Sequence, residues 1–166
     1  GFNILPVMSF SMAVTTFAGQ NYGAGKTRRM RKSVGICLVM AYAGAFLVSG
    51  VLYALAAPLY RLFTTDVNVV HIGVDMMHFL LPSYFLYVAI GILSGALRGA
   101  GRVLVPMLLT CGGVCFFRIV WMFGVFPGYP GINTIMLSYP VSWGITAVLF
   151  IIYYFRKFPK VKSIQE

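Results

Sequence analysis

The sequence predicts an all-α fold, a polytopic membrane helix bundle with five transmembrane helices. Three observations carry that prediction. Of 166 residues, 60% are hydrophobic and only 10% are charged, whereas soluble domains carry about 25% charged residues. The apolar residues gather in five long runs, at about 2–20, 34–57, 76–97, 103–125 and 135–154. The basic residues lie mainly at the ends of those runs, where lipid headgroups would meet them.

Each run is close to the ~20 residues that a helix needs to cross ~30 Å of hydrocarbon. Membrane strands would need only about ten residues and would alternate apolar with polar; these runs do not alternate. The first run ends at Gly19-Gln20-Asn21, and glycines that can terminate a helix follow at Gly23 and Gly25. The second follows the basic cluster Lys26, Arg28, Arg29, Arg31 and Lys32. The third contains Pro82 and the fifth Pro140; each removes a backbone donor and tends to kink its helix, a break that neighbouring membrane helices can satisfy. Along the third run Gly91, Gly95 and Gly99 recur every four residues, a small-residue stripe that lets another helix approach closely.

The connections are short, so consecutive helices should run antiparallel. Five crossings then put eleven of the thirteen basic residues on one side: the first-loop cluster, Arg98 and Arg102, and Arg156, Lys157, Lys160 and Lys162. Arg61 and Arg118 are left on the other. The rich side is assigned to the cytoplasm. The chain would enter from outside and end in the cytoplasm of a plasma (inner) membrane. Residues 1–157 form a partial C-terminal transmembrane lobe and residues 158–166 a cytoplasmic tail. The chain opens Gly1-Phe2-Asn3 without Met and already near an apolar run, which suggests a piece of a longer protein.

Several motifs point to chemistry only superficially. Gly25-Lys26-Thr27 resembles the end of a phosphate-binding loop, but that pattern needs Gly at position 20, which is Gln20. Its plainer role is to stop a helix, and Gly99-Ala100-Gly101 echoes it at the end of the third run. Cys111 and Cys115 are four apart and would share a helix face, while Cys37 stands alone; all three read as small packing residues. His71, Asp75 and His78 would share a face at the outer end of the third run, most simply as interfacial polar residues facing water. No metal site and no hydrolytic constellation stands out, so an enzyme is not expected. A net charge of +10 does not indicate nucleic acid, given where the charges lie. Arg118 is the one charge well inside a run, roughly 22 Å up from Val103. A charge at that depth is a functional candidate.

The stretch from Pro6 to Lys26, with Gly19-Gln20-Asn21-Tyr22-Gly23-Ala24-Gly25, resembles the multidrug and toxic compound extrusion (MATE) family. Leu62-Phe63-Thr64 agrees, as does Gly95-Ala-Leu97-Arg98-Gly99-Ala-Gly101 followed by Pro106. The resemblance covers nearly the whole chain and implies helices 8–12 of a twelve-helix, two-lobe transporter. The N-terminal lobe and the seventh helix would be the missing partners, beside the lipid bilayer and a small-molecule substrate. It implies export of drugs or other amphipathic or cationic compounds by antiport with H+ or Na+, and no cofactor. Some members hold the coupling cation on a carboxylate in the tenth helix, a position that falls near Tyr87 here. No acid lies in that run, so the coupling-ion site is not identifiable in this chain.

The substrate-binding candidates, chosen for polarity and depth, are Ser83, Tyr84, Tyr87 and Arg118. Tyrosine faces attract flat organic cations. Gly19, Gln20, Asn21, Gly23, Ala24, Gly25, Leu97, Arg98, Gly99 and Gly101 carry the family pattern in a structural role. The alternatives are a lipid-linked oligosaccharide flippase of the same broad fold and a non-transporting membrane assembly module.

Overall fold

The computed structural model describes residues 3–158. The chain runs α1 (Ile4–Gly23), α2 (Thr27–Ala54), α3 (Ala56–Arg61) and α4 (Val67–Gly99). It continues through α5 (Leu104–Thr110), a π-helical turn (Cys111–Phe116), α6 (Phe117–Gly124) and α7 (Ile132–Lys157). All five predicted runs are helical. Among the described residues, four helical stretches are long and apolar enough to cross a membrane: Thr27–Ala54, Val67–Gly99, Leu104–Gly124 and Ile132–Lys157. The first helix, α1, has 20 residues, about 30 Å of rise. It is less apolar because Ser9, Ser11, Thr15, Thr16, Gln20 and Asn21 interrupt it.

The helices overrun the apolar runs where polar chemistry starts them. Asp66 begins α4 nine residues before the predicted run, its carboxylate accepting a bond from the Asn68 amide at 2.9 Å. α2 begins at Thr27, so its basic cluster is helical and stands proud of the apolar segment. The tail at residues 158–166 falls outside the described residues apart from Phe158.

Both Gly-Ala-Gly sequences are helix stops built the same way. At the end of α1 the Gly25 amide bonds the Tyr22 carbonyl and the Lys26 amide bonds that of Asn21. At the end of α4 Gly101 bonds Arg98 and Arg102 bonds Leu97. This is the Schellman arrangement. It needs a left-handed residue in the middle, and Gly25 (φ 72°) and Gly101 (φ 77°) supply it.

α4 is the central helix, with α1, α2 and α7 packed around it. The glycine stripe is its face towards α1. Ideal Cβ atoms at Gly91, Gly95 and Gly99 would strike Val7, Ser11 and Thr15 respectively. That closeness lets Ser11 Oγ donate to the Gly91 carbonyl at 2.8 Å and Thr15 Oγ1 to the Gly95 carbonyl at 3.0 Å. The two family-like motifs also meet: a Cβ on Gly19 would sit 3.2 Å from the Gly99 carbonyl oxygen.

Residue pairings give each helix a direction. Positions 11 and 15 of α1 match 91 and 95 of α4, so those two run parallel. Asn3 bonds Ser49, while Phe10 approaches Gly44, so α2 runs against α1. Gly113 packs on Thr146, and Trp121 donates to the Thr134 carbonyl, so the fourth stretch opposes α7. Successive long helices therefore alternate, as short connections require. The first-loop cluster, Arg98, Arg102, Arg156 and Lys157 gather at one end of the bundle. Large apolar side chains cover the outside, among them Met12, Val39, Leu47 and Phe123. Such a surface suits lipid and would aggregate in water.

Candidate functional site

A cavity of about 380 Å³ lies at the end of the bundle opposite the basic cluster. Its wall is built by four elements: Asn3 ahead of α1, Leu52 of α2, Leu59 and Tyr60 of α3, and Met76, Met77, Leu80, Leu81 and Tyr84 of α4. Phe63 closes it beyond α3. α3 exists because α2 stops at Leu55 and the chain turns into a short helix there. Its Tyr60 ring packs on Gly73, where a Cβ would collide with it. Methionine and aromatic walls are deformable and polarisable, chemistry that accepts varied apolar ligands. One wall group stands out: Asn3 is only 2% exposed, and its Nδ2 donates to Ser49 Oγ at 2.6 Å while its Oδ1 has no partner among the described residues.

Tyr84 is the link from this cavity to an aromatic cluster deeper in the bundle. Its ring lies 5.2 Å from that of Trp143 and 6.0 Å from that of Tyr87. Tyr87 is 5.5 Å from Trp143, and Tyr139 is 5.9 Å from it. Arg118 joins from α6. Its guanidinium carbon sits 3.9 Å above the centre of the Tyr139 ring, and its Nε donates to Ser142 Oγ at 3.3 Å. Arg118 is aimed by the π-helical turn just before it, which adds a residue to the helical repeat. Gly113 within that turn lets the helix press against Thr146.

Three of the four candidates named from sequence are thus brought together: Tyr84, Tyr87 and Arg118. Ser83 is half-buried but lines neither the cavity nor the cluster, because one residue of helix turns it about 100° away from Tyr84. Tyr139, Ser142 and Trp143 were missed. Arg118 also departs from expectation: its cation already occupies an aromatic face. A flat organic cation entering here would meet Tyr84, Tyr87 and Trp143, with the Tyr139 face taken.

The remaining expected groupings hold only in part. His71 Nδ1 lies 3.1 Å from Asp75 Oδ2 on an exposed surface. His78 turns away to stack on Tyr53 at 3.9 Å and bond its carbonyl oxygen at 3.2 Å. No group of three metal-ligating side chains occurs among the described residues. Cys111 and Cys115 both lie within the π-helical turn, where the 3.6-residue spacing does not apply, and both are exposed rather than the packing residues expected. The Gly19–Gly25 and Leu97–Gly101 motifs do not line this cavity; they cap helices and pack α1 on α4.

A family model, MatE, matches residues 1–123. The probable multidrug resistance protein YoeA of Bacillus subtilis (strain 168) is 25% identical over 154 residues, covering 90% of the chain and 33% of that protein. The probable multidrug resistance protein NorM of Thermotoga maritima is 25% identical over 108 residues, covering 65% of the chain and 23% of that protein. The chain spans a third or less of the length of these curated relatives.

Proposed function

Because the chain belongs to the MatE family, we propose that it forms part of a multidrug efflux transporter rather than an enzyme. The whole protein exchanges H+ or Na+ for drugs or other amphipathic or cationic small molecules across the plasma membrane. This chain supplies one wall of the path, completed by the rest of the same polypeptide. The basic end faces the cytoplasm and the cavity end faces outside.

The observation that carries the reading is the continuity between cavity and cluster through Tyr84. A cavity of about 380 Å³ is within the usual size range of small-molecule sites. Its apolar wall takes a hydrophobic body, and the tyrosine and tryptophan faces take a delocalised positive charge. Arg118, fixed on Tyr139, sets a positive limit to that region and favours cations that spread their charge over an aromatic plane. The coupling ion binds carboxylates in the rest of the protein: the acids among the described residues, Asp66 and Asp75, both lie at the outer end.

Efflux of ethidium, a planar aromatic cation, by the complete protein in proteoliposomes tests this. A desolvated cation–π contact is worth about 1–2 kcal/mol, so Tyr84→Ala and Tyr87→Ala are each expected to lower ethidium transport by about five- to thirtyfold. Arg118→Ala is expected to alter it as well, by releasing the Tyr139 face. Unchanged efflux in all three variants refutes the assignment.

A further inference from the structure

A second groove, of about 290 Å³, lies between α2, α4 and α7 towards the basic end of the bundle. Val34, Leu38, Leu93 and Ile151 make it apolar along most of its length. Its mouth is different, being formed by Arg31 and Tyr154.

Arg31 is the one member of its cluster that lines the groove; Lys26, Arg28, Arg29 and Lys32 are exposed around it. No acid faces it. The acidic side chains of the described residues, Asp66 and Asp75, lie at the opposite end of the bundle. Tyr154 is 4% exposed, and its hydroxyl has no hydrogen-bond partner among the described residues. A buried donor without an acceptor is uncommon and points to a missing partner.

The length of the groove identifies that partner. From Arg31 to Tyr42 along α2 is about 16 Å at ~1.5 Å per residue. One leaflet of a bilayer is about 15 Å of hydrocarbon. An acyl chain lying against the groove would therefore start at the headgroup level and end near the midplane.

We propose that the groove is a site for one anionic phospholipid of the leaflet on the basic side. The Arg31 guanidinium takes the phosphate through paired N–H donors. The Tyr154 hydroxyl donates to a phosphate or ester oxygen, and one acyl chain lies along Val34, Leu38 and Leu93. The Arg31 charge at the mouth repels a choline headgroup and selects a lipid of net negative charge. This site is separate from the transport path and stands or falls independently of it.

Native mass spectrometry of the complete protein, released from micelles doped with equal phosphatidylglycerol and phosphatidylcholine, reads the site directly. Retention of one phosphatidylglycerol is expected. Arg31→Gln should weaken it about tenfold, the scale of one lost charge-assisted pair, and Arg31→Lys should weaken it less. Gly35→Leu offers a steric test, because Gly35 lines the groove and a Cβ there meets nothing within 4 Å; the leucine should displace the lipid without disturbing the helices. Arg28→Gln is the charge-matched control and should change retention by less than about twofold, as an exposed charge does. Equal retention of the two lipids overturns the proposal. So does an Arg31→Gln variant indistinguishable from Arg28→Gln, or a Gly35→Leu variant that keeps its lipid.

Discussion

Replacing Gly95 by alanine adds one methyl group where α1 and α4 cross. The new Cβ would lie 2.6 Å from the Ser11 carbonyl oxygen, 2.8 Å from Ser11 Oγ and 2.9 Å from Val14 Cγ1. The first of these is backbone and cannot rotate aside. Carbon–oxygen contacts between packed helices sit at about 3.3–3.6 Å, so α1 must withdraw by roughly 0.7–1 Å. A gap of that size forfeits about a quarter to a half of each contact's dispersion energy along the stripe. It also stretches the bonds from Ser11 to Gly91 and from Thr15 to Gly95, now 2.8 and 3.0 Å. Overpacking of this kind costs about 1–3 kcal/mol, and alanine's better helix propensity returns up to about 1 kcal/mol. The expected net loss reaches about 2 kcal/mol, or up to roughly thirtyfold in the unfolding equilibrium. Gly50→Ala is the control, because a Cβ there meets nothing within 4 Å and only the propensity gain of at most about 1 kcal/mol applies. Reversible denaturant titration of the complete protein in mixed micelles measures both. If Gly95→Ala is as stable as Gly50→Ala, the stripe is not a tight interface and the reasoning fails.

Two further perturbations use the same measurement. Gly101→Ala forces a side chain into φ 77° and should cost about 1–2 kcal/mol; Gly101→Asn, which tolerates that region, should cost less, and equal losses would refute the cap assignment. Gly113→Ala drives a methyl into the Thr146 side chain, so Thr146→Ala should recover part of the loss, and a double-mutant cycle showing no coupling would exclude that contact.

The fold was legible because a membrane helix declares itself by length and composition, and because punctuation marked its ends. Gly25 and Gly101 stand where the chain must take a left-handed residue, and the sequence showed both as Gly-Ala-Gly before a basic residue. The stripe Gly91, Gly95, Gly99 was legible for a similar reason: a four-residue repeat of missing side chains describes one helix face whatever packs on it. Element starts were less visible. Asp66 begins α4 through an Asp66–Asn68 cap, yet it lies ten residues outside the hydrophobic run, where hydropathy carries no information. α3 is six residues long, too short for any periodicity, and yet it builds one side of the larger cavity. The π-helical turn at Cys111–Phe116 was also out of reach, since Cys-Gly-Gly-Val-Cys-Phe fits an ordinary helix equally well.

For the site, the missing signal was register rather than residue type. Arg118, Tyr84 and Tyr87 were found because a charge or a phenol at depth in lipid is conspicuous. Tyr139, Ser142 and Trp143 lie in a run that looks uniformly apolar-aromatic. Part of the answer was nonetheless available. The fourth and fifth runs are joined by a short connection, residues 125–131, and helices so joined pack as an antiparallel hairpin. Folding the chain about the middle of that connection sets Arg118 opposite about residue 138, given equal rise on both arms. The observed partners are Tyr139 and Ser142, within one helical turn of that position. The same folding cannot deliver Tyr84 and Tyr87, because α4 and α7 are not consecutive and their pairing depends on the order of helices around the bundle. Arg118 therefore owes its aromatic partner to local chain geometry. The joining of that partner to Tyr84, and through Tyr84 to the cavity, is a property of the assembled bundle, and single substitutions at Tyr84 will test it more directly than any change at Arg118.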